Sequence, residues 1–115
     1  MIREVRRSKG IRDRIVDRLR APGGATCTVG QLASEFGTST RSLQRALAKQ
    51  GLSFRALQES VKRELATSGL RGTSKPIAEI ALDLGYASPT SFSDAFSNWF
   101  GQSPSAYRAA ARVMR

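Results

Sequence analysis

Apolar residues return every three or four positions through most of the chain, and the breaks between runs fall on glycine, proline and serine. Ile11, Ile15, Val16 and Leu19 outline a first amphipathic helix that Pro22-Gly23-Gly24 ends. Val29, Leu32, Ala33 and Phe36 outline a second, opened by a Thr28/Gln31 capping box and stopped by Gly37, which suits a left-handed C′ position. Ser39 caps a third, with Leu43, Ala46 and Leu47 inward and Gly51 closing it. From Ser53 the pattern Phe54, Leu57, Val61, Leu65 and Leu70 runs without a breaker until Gly69, a helix roughly 25 Å long that can space two modules. Arg71-Gly72-Thr73-Ser74 then reads as the loop between halves. Pro76 at N1 opens a fifth helix, with Ile77, Ile80, Ala81 and Leu84 inward and Gly85 ending it. Ser88-Pro89 and Ser103-Pro104, each a cap serine followed by an N1 proline, open the last two. Nothing reads as a strand, so the expectation is an all-α chain of seven helices.

The pattern also repeats. Leu32-Ala33, Gly37, Leu43, Leu47, Gly51, Ser53, Ala56 and Leu57 recur as Ile80-Ala81, Gly85, Phe92, Phe96, Gly101, Ser103, Ala106 and Tyr107. One supersecondary unit therefore occurs twice: a short helix, a glycine turn, a second helix and a capped helix after it. That unit is a helix-turn-helix, a shape that presents a helix to the major groove of DNA. The organisation expected is a basic head over 1–10, a first helix-turn-helix subdomain over 11–52, a linker helix over 53–70, and a second subdomain with a C-terminal helix over 71–115.

Composition narrows the chemistry. The 115 residues hold nineteen Lys and Arg against nine Asp and Glu, a net charge of +10, which points to a polyanionic partner. Hydrophobic residues at 40% suffice for a core in one compact domain or two very small ones. No apolar run reaches membrane-spanning length, and the first twenty residues are charged throughout. Histidine is absent, which removes the commonest general base, the commonest zinc ligand and every Ser-His or Cys-His pair. The acids are scattered and there is no glycine-rich phosphate loop, so neither enzyme, metal nor cofactor is expected. The single cysteine, Cys27, cannot close an internal disulfide and reads as a small inert side chain in a reducing cytosol.

If Leu43 and Leu47 pin the third helix to its core, Arg41, Gln44, Arg45 and Ala48 share the opposite face. Arg reads guanine and Gln reads adenine, both bidentately, which makes these residues candidates for base readout. Thr40 and Arg41, early in the helix, would lie deepest in the groove, while Ser39 and Lys49 at its ends would touch phosphate. The repeat carries this face onto Thr90, Ser93, Asp94 and Ser97, with Ser88 and Ser97 toward phosphate. From Pro76 to Phe100 there is no Lys or Arg, and Glu79, Asp83 and Asp94 make the segment negative. Arg108 and Arg112 on the last helix are expected to hold the backbone for this half, and Lys62 and Arg63 on the linker to add phosphate contacts. Phe92, Phe96, Trp99 and Phe100 form a heavy core, so Trp99 reads as core or interface and not as a base-stacking platform.

The stretch Ile80-Ala-Leu-Asp-Leu-Gly-Tyr-Ala-Ser-Pro-Thr-Ser-Phe-Ser-Asp-Ala-Phe96, with Trp99-Phe-Gly-Gln-Ser-Pro-Ser-Ala-Tyr-Arg108, resembles the signature of AraC/XylS-family transcriptional regulators. Gly37-Thr-Ser-Thr-Arg-Ser-Leu-Gln-Arg45 with Gly51-Leu-Ser-Phe54 is similar to that family's first helix-turn-helix. The resemblance spans residues 11 to 111. It implies two helix-turn-helix units joined by a long helix and binding adjacent major grooves on one DNA face, in the bacterial cytoplasm. It places base reading on Arg41, Gln44 and Arg45, then on Thr90, Ser91, Ser93 and Asp94. A basic residue common at the position of Asp94 is missing here. Family members usually carry a sensing or dimerising domain ahead of this one, so the expectation is a cut-out DNA-binding domain or a small stand-alone regulator. The isolated domain is expected to be monomeric, with dimerisation left to such a missing domain.

Two other classes compete with sequence-specific DNA reading. A nonspecific basic RNA- or chromatin-associated helical protein would spread its charge over every exposed face, whereas Arg41 and Arg45 sit on one capped helix. A protein-interaction module would use the acidic second unit against a partner such as RNA polymerase. A membrane-surface helix is disfavoured, because Glu4, Asp13 and Asp17 interleave with the basic residues of the first twenty.

Overall fold

The computed structural model describes residues 10–113, so the basic head expected over residues 1–10 lies outside the described residues except for Gly10. Among the described residues there are seven α-helices, one 3₁₀ turn and no strand. The helices are α1 (Ile11–Arg20), α2 (Val29–Glu35), α3 (Thr40–Lys49), α4 (Phe54–Gly72), α5 (Ile77–Asp83), α6 (Pro89–Phe100) and α7 (Pro104–Val113), with the 3₁₀ turn Gly24–Thr26 between α1 and α2. Two compact units divide the chain between Val61 and Lys62, within α4.

The first unit is built on α1, α2, α3 and the start of α4. Its core is the inward stripe of each helix: Ile15, Val16 and Leu19, then Leu32 and Ala33, then Leu43 and Leu47, all buried. Cys27 is buried and free, donating weakly to the Thr28 carbonyl at 3.5 Å, which is the behaviour of a small core side chain. The Thr28 capping box is complete: Thr28 Oγ1 accepts from Gln31 N–H and Gln31 Oε1 accepts from Thr28 N–H. Arg18 on α1 holds Glu35 at the end of α2 through two hydrogen bonds of 2.7 and 2.9 Å, and Arg14 lies 4.5 Å over the Phe36 ring. Gln58 on α4 donates to the carbonyls of Ala25 and Cys27 at 3.0 and 2.9 Å, tying the 3₁₀ turn to the long helix.

In the second unit Ala66 and Leu70 of α4, Ile80, Ala81 and Leu84, and Phe92 and Phe96 are buried together with Pro104. Phe96 is the hub of the aromatic cluster, 5.9 Å from Phe92, 6.4 Å from Trp99, 4.7 Å from Phe100 and 5.5 Å from Tyr107 between ring centroids.

Two helix ends differ from the sequence pattern. Gly69 does not end α4, which runs on to Gly72. A Cβ at Gly69 would lie 3.3 Å from Ile80 Cδ1, so glycine here lets α5 approach closely. Pro76 is the N-cap of α5, in extended backbone, and Ile77 is the first helical residue.

Candidate nucleic-acid interface

The second helix of each helix-turn-helix is set by the turn before it. In the first unit Gly37 adopts φ 69°, the left-handed conformation that lets Thr38 N–H reach back to the Ala33 carbonyl at 2.9 Å. Ser39 Oγ then accepts from Ser42 N–H at 3.0 Å and starts α3. In the second unit Gly85 adopts φ 89°, Tyr86 N–H reaches the Ala81 carbonyl at 3.0 Å, and Ser88 Oγ accepts from Ser91 N–H at 3.1 Å. The two turns are built the same way, forty-eight residues apart at the glycine and forty-nine at the cap serine.

Leu43 and Leu47 are 1% and 0% exposed, and they fix the rotation of α3. Arg41, Gln44, Arg45, Ala48 and Lys49 are exposed, and Thr40 is half-buried. Among the described residues Arg41, Arg45 and Lys49 make no ion pair. Gln44 and Ala48 border a hollow of about 400 Å³ shared with Val29, Leu52, Phe54 and Arg55. Arg55, exposed on the first turn of α4, adds a cation beside the reading face. The sequence pattern passed over it because it belongs to the linker and not to a recognition helix.

Phe92 and Phe96, both 0% exposed, fix α6 in the same way. Thr90, Asp94 and Ser97 are exposed on the outward face and Ser93 is half-buried. Ser97 Oγ reaches the Gln102 carbonyl at 3.4 Å. Ser91 stands apart from them. Its hydroxyl accepts from Ser88 N–H at 3.3 Å and donates to the Ser88 carbonyl at 2.9 Å, so it belongs to the cap. It corresponds in the repeat to Ser42, which bonds its own cap serine, so both hydroxyls are engaged in starting their helices.

Arg108 requires a larger correction. It is buried, 9% exposed, and its guanidinium donates to the carbonyls of Leu70 (3.1 Å), Gly69 (3.3 Å), Thr73 (3.4 Å) and Lys75 (2.7 Å). These are the last carbonyls of α4 and the loop leading to α5, where a cation is favoured by both hydrogen bonding and the helix dipole. Arg108 holds the second unit together and is not placed to reach a phosphate. Arg112 is exposed near the end of α7. Lys62 is half-buried, its Nζ 5.3 Å over the Tyr86 ring, and burial pushes its pKa below the usual lysine value. Arg63 lies 6.0 Å over Trp99, which is itself half-buried in the aromatic cluster. No group of three or more acidic or Cys side chains that would suit a metal occurs among the described residues. No helix among them is long and apolar enough to cross a membrane.

A model described as a helix-turn-helix domain matches residues 32–110, which takes in both turns together with α3 and α6. The chain belongs to the AraC/XylS family of transcriptional regulators. It is 37% identical over 102 residues to the ornithine utilization regulator of Pseudomonas aeruginosa, covering 89% of this chain and 30% of that protein. It is 34% identical over 101 residues to an uncharacterized HTH-type transcriptional regulator of Mycobacterium tuberculosis, covering 88% of this chain and 29% of that one. The chain thus spans less than a third of the length of these relatives. Its fold matches the DNA-binding domain of the transcriptional factor AdpA, solved in complex with a target DNA, with a TM-score of 0.76 at 24% identity over 93% of this chain and 97% of that one. The chain thus carries a helix-turn-helix DNA-binding domain of the AraC/XylS type.

Proposed function

We propose that this chain reads duplex DNA sequence-specifically, as a monomer, with α3 and α6 in adjacent major grooves and the first unit supplying most of the base readout. The observation that carries this reading is the exposed, unpaired set Arg41, Gln44 and Arg45 on a helix whose rotation is fixed by Leu43 and Leu47. Their residue types match the bidentate patterns of guanine and adenine edges. Thr40 lies at the start of the same helix, and Ser39, Lys49 and Arg55 flank it as phosphate contacts. Thr90, Ser93 and Asp94 form the second reading face, with Ser88, Ser97 and Arg112 toward the backbone and Lys62 and Arg63 of α4 adding phosphate contacts. Selection of bound duplexes from a random pool at fixed salt tests this. An asymmetric enriched motif, footprinted as two patches about one helical turn apart, is expected. A palindrome bound only by a dimer, or no enrichment, contradicts it.

The surface of α5 favours a second role for the second unit. Leu82 is 65% exposed between Glu79 and Asp83, on a helix with no cation of its own. That face suits a protein partner such as RNA polymerase. Leu82→Ala is expected to lower activated transcription in a reconstituted assay with DNA affinity unchanged; equal activity would remove this role.

A further inference from the structure

The two reading helices differ most at one shared position. Arg45 and Asp94 each lie six residues after a cap serine and two after a buried anchor, Leu43 and Phe92 respectively. Both are exposed, so the centre of the reading face carries a cation in the first unit and a carboxylate in the second. Asp94 has no hydrogen bond or ion pair among the described residues, and nothing in the fold uses its charge. Thr90 and Ser97 lie one turn to either side on the same face, and their hydroxyls can donate or accept.

An ionised carboxylate only accepts hydrogen bonds. Over the major-groove edge it is repelled by the O6 and N7 of guanine and the O4 of thymine. Adenine offers an N6 donor, but with the N7 acceptor beside it. Cytosine offers the N4 amino group with no adjacent acceptor on its groove edge. The carboxylate also repels phosphate, so it lowers affinity at every sequence and lowers it least above a cytosine. A group of that kind selects by rejecting wrong partners.

We infer that Asp94 is the specificity-determining residue of the second unit and selects cytosine at one position of its half-site. Arg45 favours guanine at the corresponding position of the first. This rests on the proposed sequence-specific reading. The wild-type chain should prefer C·G at that position by roughly five- to a hundredfold over the other pairs, the range of one good base contact. Asp94→Asn replaces the acceptor by an amide that pairs bidentately with adenine, so its preference should move from cytosine to adenine. Asp94→Ala should flatten the preference and raise affinity for unrelated sequences.

The test is selection from a random duplex pool with the wild-type chain, Asp94→Asn and Asp94→Ala, at one fixed ionic strength. Retention of the first half-site by both variants reports that they are folded. A cytosine that becomes adenine in Asp94→Asn and loses definition in Asp94→Ala supports the inference. An enriched motif whose second half is unchanged in both variants overturns it while leaving the proposed function standing. Failure of the wild-type chain to enrich any motif overturns the proposed function, and the inference with it.

Discussion

At the residue scale, arginine serves opposite ends at Arg45 and Arg108. Arg45 projects from α3 into solvent, whereas Arg108 gathers four main-chain carbonyls under the second unit. Arg45→Ala or Gln44→Ala should therefore cost about 1–3 kcal/mol of binding and relax base preference in one half-site. Thr90→Ala should cost about 0.5–1.5 kcal/mol, since a neutral hydroxyl contributes a single modest hydrogen bond. Titrations against matched and scrambled duplexes check both. Arg108→Gln removes both the charge and the planar fork, so it should lower the melting temperature while leaving the salt slope of binding unchanged. Lys49→Ala should do the reverse, reducing that slope by about one phosphate contact. A slope that fell with Arg108→Gln and not with Lys49→Ala would return Arg108 to the DNA surface. The burial of Arg108 was hard to read because a lone arginine on an amphipathic helix ordinarily faces water. One signal was present: Pro104, Arg108 and Ala111 share a stripe, and Pro104 is buried while Ala111 is half-buried.

At the element scale, most of what depends on neighbours in sequence was legible before the structure. The helix periods, the glycine turns at Gly37 and Gly85 and the cap serines all rest on local geometry, and all stand where the pattern put them. Apart from Pro76, which caps α5 from outside it, and Ser91, which closes its own capping box, what was missed depends on packing between distant segments. Gly69 reads as a breaker until Ile80 is seen against it, and Gln58 reads as a solvated residue until the 3₁₀ turn is placed beneath its amide. The joint between α1 and α2 is of the same kind, with Arg18 and Glu35 seventeen residues apart. The hydrogen bonds from Arg18, together with its charge, outweigh desolvation and hold the Glu35 carboxyl below the usual range. The sign follows from linkage. Stabilisation by this pair is fully present above the ordinary carboxylate value of about 4.3 and is lost as pH falls through the lowered value in the folded state. Thermal melts between neutral and acidic pH should show Glu35→Gln destabilised at neutral pH and converging on the wild-type chain in acid. A constant gap between the two curves would mean that the ion pair contributes nothing to that joint.

At the scale of the whole molecule, the net charge of +10 is unevenly used. The stretch from Pro76 to Phe100 holds no Lys or Arg, while α3 and the first turn of α4 expose Arg41, Arg45, Lys49 and Arg55. The repeat preserved the turn, the cap and the buried anchors and changed the reading face. Two copies of one scaffold thus carry unlike chemistry on their outward faces. This asymmetry was legible in the sequence because exposed positions follow from the anchors by helical register; the engagement of Ser91 by its cap and of Arg108 by main-chain carbonyls was not, because each claims a polar group that sequence reads as free. The central claim is that the first unit carries most of the base readout. It is tested most directly by titrating the wild-type chain, at one salt concentration, against its selected duplex and two derivatives with either half-site scrambled. The account predicts a markedly greater loss of affinity when the half-site bound by α3 is scrambled. Equal losses, or a greater loss on the α6 side, would contradict it.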